Sequence, residues 1–398
     1  MSIAVGVEFL GGNEMCGRNW TVTLTLLTVI SPTLPAASPH VIDDRSDLLR
    51  IVDERFRRWD RNRDRRLSVR EVDDVVADRS VLDDEAAAIA AVKRTLRMDN
   101  SNITLTQKQL EQLIRQRAAN PADDLARMYA EGLRQIRSGS RRLFSSRRPQ
   151  LDTIQQGRLG NCFVLAPLGA VLHASPDRVT RMFIEQANGR YGVRLGGRVV
   201  QVDSPTDAER AQAAANEGDG VWVNVFEKAI GAALRIRGLA GTASTSIDAI
   251  AGGGSSAATL ELITGYRPQR YVLGYSADPQ ISSRQVERYD AGLSKLLEET
   301  LRNQRAAIAT TASSNTPGLP HNHAYAVLEW NGRRQIIRLW NPHGGEHRPL
   351  GLAGPKFGYP TKDGIFEMPL SDFRDLFNGI AAETNRPYRT SPPLPLLP

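Results

Sequence analysis

The sequence contains few cysteines, histidines and aromatic residues. Its 398 residues include two cysteines, Cys16 and Cys162, six histidines and 6% aromatic residues. Two cysteines exclude a disulfide framework and a cysteine-rich zinc site. The 41% of hydrophobic and 24% of charged residues exclude a disordered or collagen-like chain. The length and composition therefore indicate a globular protein of two or three domains with a sizeable core.

The chain is arginine-rich and has a formal net charge of +7. Such a charge suits weak association with anionic surfaces, but no nucleic-acid-binding motif accompanies it. We therefore expect no nucleic-acid partner.

Residues 1–40 allow two interpretations. An apolar run over residues 20–30 precedes a stretch rich in Pro, Ala and Ser. The run is too short to span a bilayer as a helix, so no stable membrane span is expected, but its length suits the core of a signal peptide. A signal peptide and a disordered tail both stay open, as does translation from Met1 or from Met15. The localisation is therefore open too, with a lean towards export.

The composition divides the rest of the chain into five segments. Residues 41–120 are charged, alanine-rich and nearly free of Gly and Pro, which predicts helices. Residues 121–150 are basic and contain a Ser/Gly-rich patch, which predicts a linker. Gly-rich loops, β-branched runs and aromatic residues then predict mixed α and β structure in two subdomains, 151–265 and 266–385. Residues 386–398 are rich in proline and predict an extended tail.

Residues 60–71, DRNRDRRLSVRE, have the spacing of a calcium-binding loop. Apolar residues at helical spacing flank the loop, so the segment resembles an EF-hand. Arg65 stands at position 6, where the sharp turn favours glycine. Oxygen-bearing side chains occupy loop positions 1, 3, 5, 9 and 12, and they belong to Asp60, Asn62, Asp64, Ser68 and Glu71.

EF-hands pair, which predicts a second loop about 36 residues later, beginning at Leu96. The ligand positions of this loop would be Leu96, Met98, Asn100 and Gln107, which cannot hold calcium. We therefore predict a purely structural partner for the first loop. Four arginines among the carboxylates of the first loop oppose a divalent cation, so a working calcium site and a structural relic both stay open.

Cys162 lies in a segment that suits a reactive thiol. Residues 156–165, QGRLGNCFVL, combine a Gly-rich turn with an apolar run, so Cys162 is expected at a helix N-terminus. There the backbone N–H groups and the helix dipole would stabilise a thiolate and lower its pKa. Gln156, on the turn side, could donate to an oxyanion beside the sulfur. A buried, inert cysteine is the alternative that this segment alone leaves open.

Residues 323–342, HAYAVLEWNGRRQIIRLWNP, predict a β-hairpin. Two β-type runs flank Asn331–Gly332, the strongest short hairpin signal. A two-residue loop would bring His323 and Asn341 to the same end of two adjacent strands. An imidazole base and an orienting amide would then complete a nucleophilic site with Cys162.

The chain here resembles the calpain family of cysteine proteases. The likeness covers residues 152–377 and lies in QGRLGNC (156–162), EGDGVWVNVFEKAIGAAL (217–234), residues 247–265, HAYAV (323–327), RLWNP (338–342) and DGIFEMPLSDFRDLF (363–377). The resemblance implies an α+β fold with a papain-like core of two subdomains. It also implies a triad of Cys162, His323 and Asn341, with Gln156 lining the oxyanion hole.

The sequence also departs from the family. Its departures are Phe163 and His343 in place of tryptophans, Pro167 inside the nucleophile helix, and Thr153 and Ile365 in place of acidic calcium ligands. Two other calcium ligands of the family core are matched by Glu217 and Asp363. The resemblance therefore implies calcium control through the core that is weaker than the family norm or absent.

These features predict a calpain-like endopeptidase that hydrolyses protein substrates through an acyl-thioester, with Ca²⁺ as a regulatory cofactor. Two other functions stay open: an inactive, calcium-responsive binding protein on the same scaffold, and another acyl-transfer enzyme such as a transglutaminase-like protein. The asparagine after the histidine and the upstream glutamine favour proteolysis. The sequence predicts neither a cleavage preference nor an oligomeric state.

Overall fold

The computed structural model describes residues 44–98, 104–120, 123–145, 148–216, 218–241, 243–274, 280–312 and 315–387. The N-terminal segment, nearly all of the proline-rich tail and the expected calcium ligand Glu217 lie outside the described residues. The described residues belong to one compact unit. None of the helices in these ranges is both long enough and apolar enough to cross a bilayer.

A helical module of two helix–strand–helix units comes first. Its elements are α1 (Asp44–Trp59), β1 (Arg66–Leu67), α2 (Val69–Val76), α3 (Asp83–Met98), β2 (Leu105–Thr106) and α4 (Gln107–Arg115). Apolar side chains at helical spacing on α1, namely Leu48, Val52 and Phe56, are buried in the core that the helices share. Leu67 and Leu105 pair across β1 and β2, which ties the two units together.

This strand pairing corrects the register expected for the second unit. Because Leu67 pairs with Leu105, equivalent positions lie 38 residues apart and not about 36. The second loop therefore counts from Met98, whereas Leu96 lies inside α3. Apolar spacing alone could not distinguish the two registers, because a shift by two residues keeps the same alternation.

Residues 121–150, expected to be a basic linker, instead contain the helix α5 (Leu125–Ser138). One face of α5, which includes Met128, Tyr129 and Ile136, is buried in the core of the helical module. The arginines of α5 lie on its exposed side. The linker prediction was wrong because a high charge content describes the solvent face of an amphipathic helix as well as it describes a linker.

The first half of the α+β core surrounds an apolar helix. Its elements are β3 (Ile154–Gln155), α6 (Cys162–Ala174), α7 (Pro176–Thr180), β4 (Phe183–Glu185), β5 (Arg190–Leu195), β6 (Arg198–Asp203), α8 (Asp207–Arg210), β7 (Ala215–Asn216), α9 (Trp222–Ile236) and α10 (Ser256–Thr264). Helix α6 is apolar on all sides and almost wholly buried, as expected for a helix at the centre of a core. Strands β4, β5 and β6 form a small antiparallel sheet beside it.

The second half is built on a seven-stranded antiparallel sheet. Its elements are β8 (Gln269–Val272), α11 (Ser283–Arg302), β9 (Ala307–Thr311), β10 (Ala324–Asn331), β11 (Ile336–Trp340), β12 (Thr361–Lys362), β13 (Ile365–Pro369), α12 (Leu370–Leu376) and β14 (Phe377–Ala382). The strand order is β12-β13-β11-β10-β9-β14-β8. Ala324 and Ala326 of β10 face the core around α6, whereas Tyr325 and Val327 face the opposite core. The fold is α+β, as the sequence predicts.

The β10–β11 hairpin differs from its predicted register. Trp340 pairs with Ala326, whereas a two-residue loop would have placed it opposite His323, and the connection has four residues. A two-residue turn of the predicted type needs a positive φ at both central residues, which Asn331–Gly332 does not have. The Asn331 side chain instead accepts a hydrogen bond from the Arg334 N–H, which closes a wider loop.

Buried ion pairs join the helical module to the core. The ammonium group of Lys93, on α3, lies 2.7 Å from an Asp73 oxygen and 2.8 Å from an Asp248 oxygen. Arg97 lies 2.6 Å from the other Asp248 oxygen. Burial alone would raise the pKa of Asp248, but the two cations outweigh burial and hold the pKa well below its usual range. Helix α3 is thereby held against the segment that leads to the loop 252–254.

Candidate active site

Cys162 is the first residue of α6, which confirms the predicted helix start. The turn before it is closely packed. A Cβ atom at Gly157 would lie 2.2 Å from the Ala213 carbonyl oxygen, so only glycine fits there. The Gly160 N–H donates to the Ala251 carbonyl oxygen at 2.9 Å. The turn is therefore held from two sides and presents Cys162 at the helix N-terminus.

The Cys162 thiol is half-buried, and burial raises its pKa. Backbone N–H groups of Ala324, Phe163 and Cys162 itself favour the thiolate, but they do not offset the burial. The sequence predicted a lowered pKa from the helix N-terminus. That prediction is wrong for this structure, because burial outweighs the backbone donors.

His323 and Asn341 form a buried hydrogen bond, with 2.8 Å between Nε2 of the imidazole and Oδ1 of the amide. The same Oδ1 accepts the backbone N–H of His343 at 3.0 Å, which identifies it as the acceptor. His323 Nε2 therefore carries a proton and donates it to Asn341. The other ring nitrogen, Nδ1, keeps its lone pair and can act as a base.

Two neighbours fix the position of His323. Thr311 Oγ1 accepts the His323 N–H at 3.1 Å, and the Thr311 N–H donates to the His323 carbonyl oxygen at 3.0 Å. The ring of His343 stacks on that of His323, with 4.5 Å between centroids and 26° between planes. His343 thus covers one face of the imidazole, whereas Thr311 holds its backbone.

Burial and, to a lesser extent, the neighbouring His343 lower the pKa of His323 to about 3, although the hydrogen bond to Asn341 opposes the change. The imidazole is therefore neutral near pH 7. A neutral base with a free lone pair can accept a proton from a thiol.

Gln156, expected in an oxyanion hole, lines the same cleft as the thiol and the imidazole. Its backbone N–H donates to the Pro342 carbonyl oxygen at 2.7 Å. This bond joins the turn before Cys162, residues 156–161 (called the nucleophile turn below), to the residue after Asn341. Its side-chain Nε2 donates to the Leu159 carbonyl oxygen at 2.7 Å. One hydrogen on Nε2 remains for another acceptor, because an amide nitrogen carries two.

A buried carboxyl group that the sequence analysis missed lies beneath the nucleophile turn. Glu227 of α9 is fully buried and accepts from Asn161 Nδ2 at 2.5 Å, the Ala214 N–H at 3.1 Å and Asn224 Nδ2 at 3.3 Å. Burial raises the pKa of Glu227 to about 7 despite these donors. Asn161 directly precedes Cys162, so Glu227 anchors the residue next to the thiol. The only signal in the sequence was an acidic residue among the apolar residues of α9.

Gln156, Cys162, Thr311, His323 and His343 line one cleft of about 760 Å³. The nucleophile turn and Cys162 form one wall, and His323, Thr311 and the residues around them form the other. The loop 252–254 also lines the cleft and rests on Phe163, because a Cβ atom at Gly254 would lie 2.5 Å from the Phe163 ring. Arg94 of α3 lines the cleft as well, so the helical module contributes to it.

A sequence model of the calpain family cysteine protease domain matches residues 134–348, which are 215 of the chain's 398 residues. The chain belongs to the calpain family of cysteine proteases. No curated protein matches its sequence. A protease domain of this family implies protein substrates.

The region matched by the calpain family includes Gln156, Cys162, His323 and Asn341. The helical module lies almost entirely before the matched region, and its expected calcium loop lies wholly outside it. Asp363 lies after the matched region. The family match therefore bears on the cleft and covers, of the expected calcium ligands, only Glu217.

The oxygens of the expected calcium loop accept hydrogen bonds from the loop itself. Asp60 Oδ2 accepts the Arg65 N–H at 2.8 Å, and the Glu71 carboxylate accepts the N–H groups of Asn62 at 3.2 Å and Ser68 at 2.9 Å. Arg65 has a φ of 65°, the left-handed conformation that favours glycine at this position. Among the described residues, no three or more His, Cys, Asp or Glu side chains are grouped so that they could hold a metal ion.

Asp363, the other described residue expected to bind calcium, lies in a tight turn between β12 and β13. Asp363 and Gly364 have φ values of 51° and 76°, as a two-residue hairpin turn requires. The Asp363 side chain is exposed. The local sequence at Asp363 is therefore accounted for by the turn.

Proposed function

We propose that this calpain-family chain is an endopeptidase that hydrolyses peptide bonds of protein substrates through an acyl-thioester. The observation that supports this most directly is the buried His323–Asn341 hydrogen bond on the cleft that also contains the Cys162 thiol. A thiol nucleophile, an imidazole base and an amide that orients the base are the groups that this chemistry needs.

In the proposed reaction, Cys162 Sγ attacks the peptide carbonyl carbon while His323 Nδ1 takes up the thiol proton. Thiol and imidazole are both neutral at rest, so the proton moves as the C–S bond forms. The oxyanion accepts hydrogen bonds from the Cys162 N–H and from the free N–H of Gln156. His323 then donates the proton to the leaving amine, and the C–N bond breaks. A water molecule, deprotonated by His323, finally attacks the thioester carbon. The C–S bond then breaks, the carboxylic acid is released, and His323 returns the proton to Cys162 Sγ.

A peptide-hydrolysis assay tests the proposal. Wild type is expected to cleave a fluorogenic peptide, and Cys162→Ala is expected to reduce the rate to background because it removes the thiol that would form the thioester. Cys16→Ala is the matched control, since it removes the other thiol and is expected to keep full activity. Equal rates for Cys162→Ala and wild type would contradict the proposal.

The raised pKa of the Cys162 thiol favours one alternative function, a binding protein on an inactive protease scaffold. The same assay distinguishes the alternatives. Absence of hydrolysis by wild type, together with retained binding of peptides, would support the inactive scaffold. Transfer of the acyl group to an added amine in preference to water would support a transglutaminase-like activity.

We also propose that the loop 60–71 binds calcium weakly, with a dissociation constant on the order of 10⁻⁴ to 10⁻³ M. The pairing of β1 with β2 and the left-handed conformation of Arg65 support an EF-hand-like loop. Asp60 and Glu71, at its first and last ligand positions, are both buried. Carboxylate oxygens at these two positions are suitable calcium ligands. To bind the ion, however, each carboxylate would have to give up hydrogen bonds that it now accepts. The positive charges of the nearby arginines also oppose calcium binding.

Isothermal titration of the full chain, in the Cys162→Ala form to prevent self-cleavage, tests this second proposal. Arg65→Gly is expected to tighten binding because glycine removes the strain of a positive φ. Glu71→Gln is expected to abolish calcium binding. Glu54 is an exposed residue of α1 outside the loop, so the control Glu54→Gln is expected to leave calcium binding unchanged. Absence of heat at millimolar calcium in both wild type and Arg65→Gly would make the loop purely structural.

A further inference from the structure

The cleft carries positive charge that the proposed reaction does not use. Among the described residues that line it, the permanently charged side chains are Arg94 of α3 and Arg158 of the nucleophile turn. Arg158 is compensated by Glu131 of α5, with 2.7 Å between Arg158 Nε and Glu131 Oε2. No acidic side chain lines the cleft among the described residues. A peptide that reaches Cys162 therefore enters a positively charged site.

Arg94 is poorly compensated. Its nearest ion-pair partner is Asp123, and 4.0 Å separate Arg94 Nη2 from the Asp123 oxygen, which is the limit of an ion pair. Arg94 Nη1 is buried and has no hydrogen-bond partner among the described groups. Arg97, one turn further along α3, lies 2.6 Å from Asp248 by comparison. A buried guanidinium N–H without an acceptor is unfavourable, so an incoming anion would relieve this cost.

The surroundings of Arg94 also favour the binding of an anion. The Arg94 side chain is 19% exposed. Burial lowers the pKa of Arg94 to about 10, and the like charge of Arg158 contributes in the same direction. Behind Arg94 lies a cavity of about 20 Å³, lined also by Arg97, Met128 and Gln212, which has room for about one water molecule. An anionic group of a substrate would therefore meet Arg94 from the side of the cleft.

We propose that Arg94, next to Arg158, forms a subsite that binds a carboxylate of the peptide substrate close to the scissile bond. The inference rests on the proposed function and adds a charge preference to it. A guanidinium group binds a carboxylate through two parallel N–H groups, which makes arginine well suited to such a subsite. The carboxylate can belong to an Asp or Glu side chain or to the C-terminus of the peptide. Arg94 lies outside residues 134–348, so the helical module supplies this preference to the protease core.

Matched peptides test the subsite with the full-length chain. Blocked fluorogenic peptides that carry a single Glu at each position flanking the scissile bond are compared with the same peptides carrying Gln. At one position, Glu is expected to raise kcat/KM by about tenfold or more, the usual effect of a hydrogen bond to a charged group. Arg94→Met is expected to bring this Glu/Gln ratio close to one. Arg115→Met, which removes an exposed arginine of α4, is the charge-matched control and should keep the ratio.

The two sources of the carboxylate are separated by adding peptides with a free C-terminus. A preference for Glu in blocked peptides supports a side-chain carboxylate, whereas a preference confined to free C-termini supports the terminal carboxylate. A Glu/Gln ratio near one in wild type, together with no effect of a free C-terminus, would overturn the proposal. A ratio that survives Arg94→Met would overturn it as well.

A binding measurement separates the subsite from the proposed catalysis. Fluorescence anisotropy gives the dissociation constants of the Glu and Gln peptides for Cys162→Ala, with and without Arg94→Met. Tighter binding of the Glu peptide that is lost with Arg94→Met supports the subsite even if wild type hydrolyses nothing. Hydrolysis by wild type with equal binding and equal kcat/KM for both peptides would leave the proposed function standing and reject the subsite.

Discussion

The two walls of the cleft hold their functional side chains in different ways. Cys162 begins a helix, and the hydrogen bonds that favour its thiolate come from backbone N–H groups. His323 lies at the end of a strand and has a side-chain partner, Asn341, 18 residues away in the same hairpin. The anchor of the nucleophile turn, in contrast, is Glu227, which lies 66 residues from Asn161.

This difference shows how each wall depends on the rest of the chain. The orientation of His323 is set within one hairpin and by Thr311 on the neighbouring strand. The position of Cys162 depends on contacts from α9 and from the Ala251 carbonyl oxygen. Substitutions on the two walls are therefore expected to have different consequences: loss of orientation at the imidazole, and loss of stability or altered ionisation at the thiol.

The largest effect is expected on the histidine wall. His323→Ala removes the base and should lower kcat/KM by roughly 10⁴-fold or more, because residues that act as a unit fail together. Asn341→Ala only misorients the ring and should cost less, on the order of 10²-fold. Steady-state hydrolysis of a fluorogenic peptide measures both. An active His323→Ala variant would exclude this base and direct attention to His321 or His343.

The next effect concerns the proposed oxyanion hole. Gln156→Ala should lower kcat by roughly 10²-fold with little change in KM, the usual result of losing one oxyanion donor. The Gln156 backbone N–H bond to Pro342 is unaffected by this substitution, so the turn should keep its position. A change confined to KM would show that Gln156 contacts the substrate and does not stabilise the oxyanion.

A smaller effect is expected on the rate of alkylation of Cys162, which tests whether the thiol and the His323 imidazole are ionised. Because the pKa of the Cys162 thiol is raised and that of His323 is lowered to about 3, no ion pair is expected at neutral pH. In Cys16→Ala, alkylation by iodoacetamide should rise with pH and should not level off below the ordinary thiol value of 9.0. A free-cysteine peptide is the reference. Rapid labelling that is already constant between pH 5 and 7 would establish the ion pair instead.

The smallest effect is expected on the pH dependence of the protein's thermal stability, through Glu227 beneath Cys162. The pKa of Glu227 is raised from 4.5 to about 7 in the folded chain. Its contribution to stability is therefore fully present below pH 4.5 and is lost as the pH rises through about 7. Wild type should lose a few °C of Tm over this interval that Glu227→Gln does not lose. The exposed Glu287→Gln is the control, and equal pH dependence in wild type and Glu227→Gln would contradict the assignment.

Local signals in the sequence were sufficient for the main elements of the site. A Gly-rich turn followed by an apolar run placed the start of a helix at Cys162, and the structure confirms it. The hairpin signal brought His323 and Asn341 to the same end, although the loop has four residues where two were expected. The error in register left this juxtaposition intact because His323 precedes β10 and Asn341 follows β11, so both remain at one end of the pair.

Other predictions failed because they depended on burial. The high charge of residues 121–150 led to the prediction of a linker. The buried face of α5 is evident only from its packing against the helical module. The pKa of Cys162 was expected to be lowered by its position at a helix N-terminus, but burial outweighs the backbone donors. A sequence pattern indicates which groups are near along the chain, but it does not give the local solvent exposure on which ionisation depends.

By itself, the sequence therefore determined the fold class, the family and the local elements that bear Cys162, His323 and Asn341, because short-range spacing and turn chemistry encode them. The tertiary structure alone decided which distant residues surround that site. Glu227 reaches the nucleophile turn from α9, and Arg94 reaches the cleft from a helix outside the protease domain. Neither contact has a local signature, because each arises only when separate parts of the chain pack against one another and exclude water.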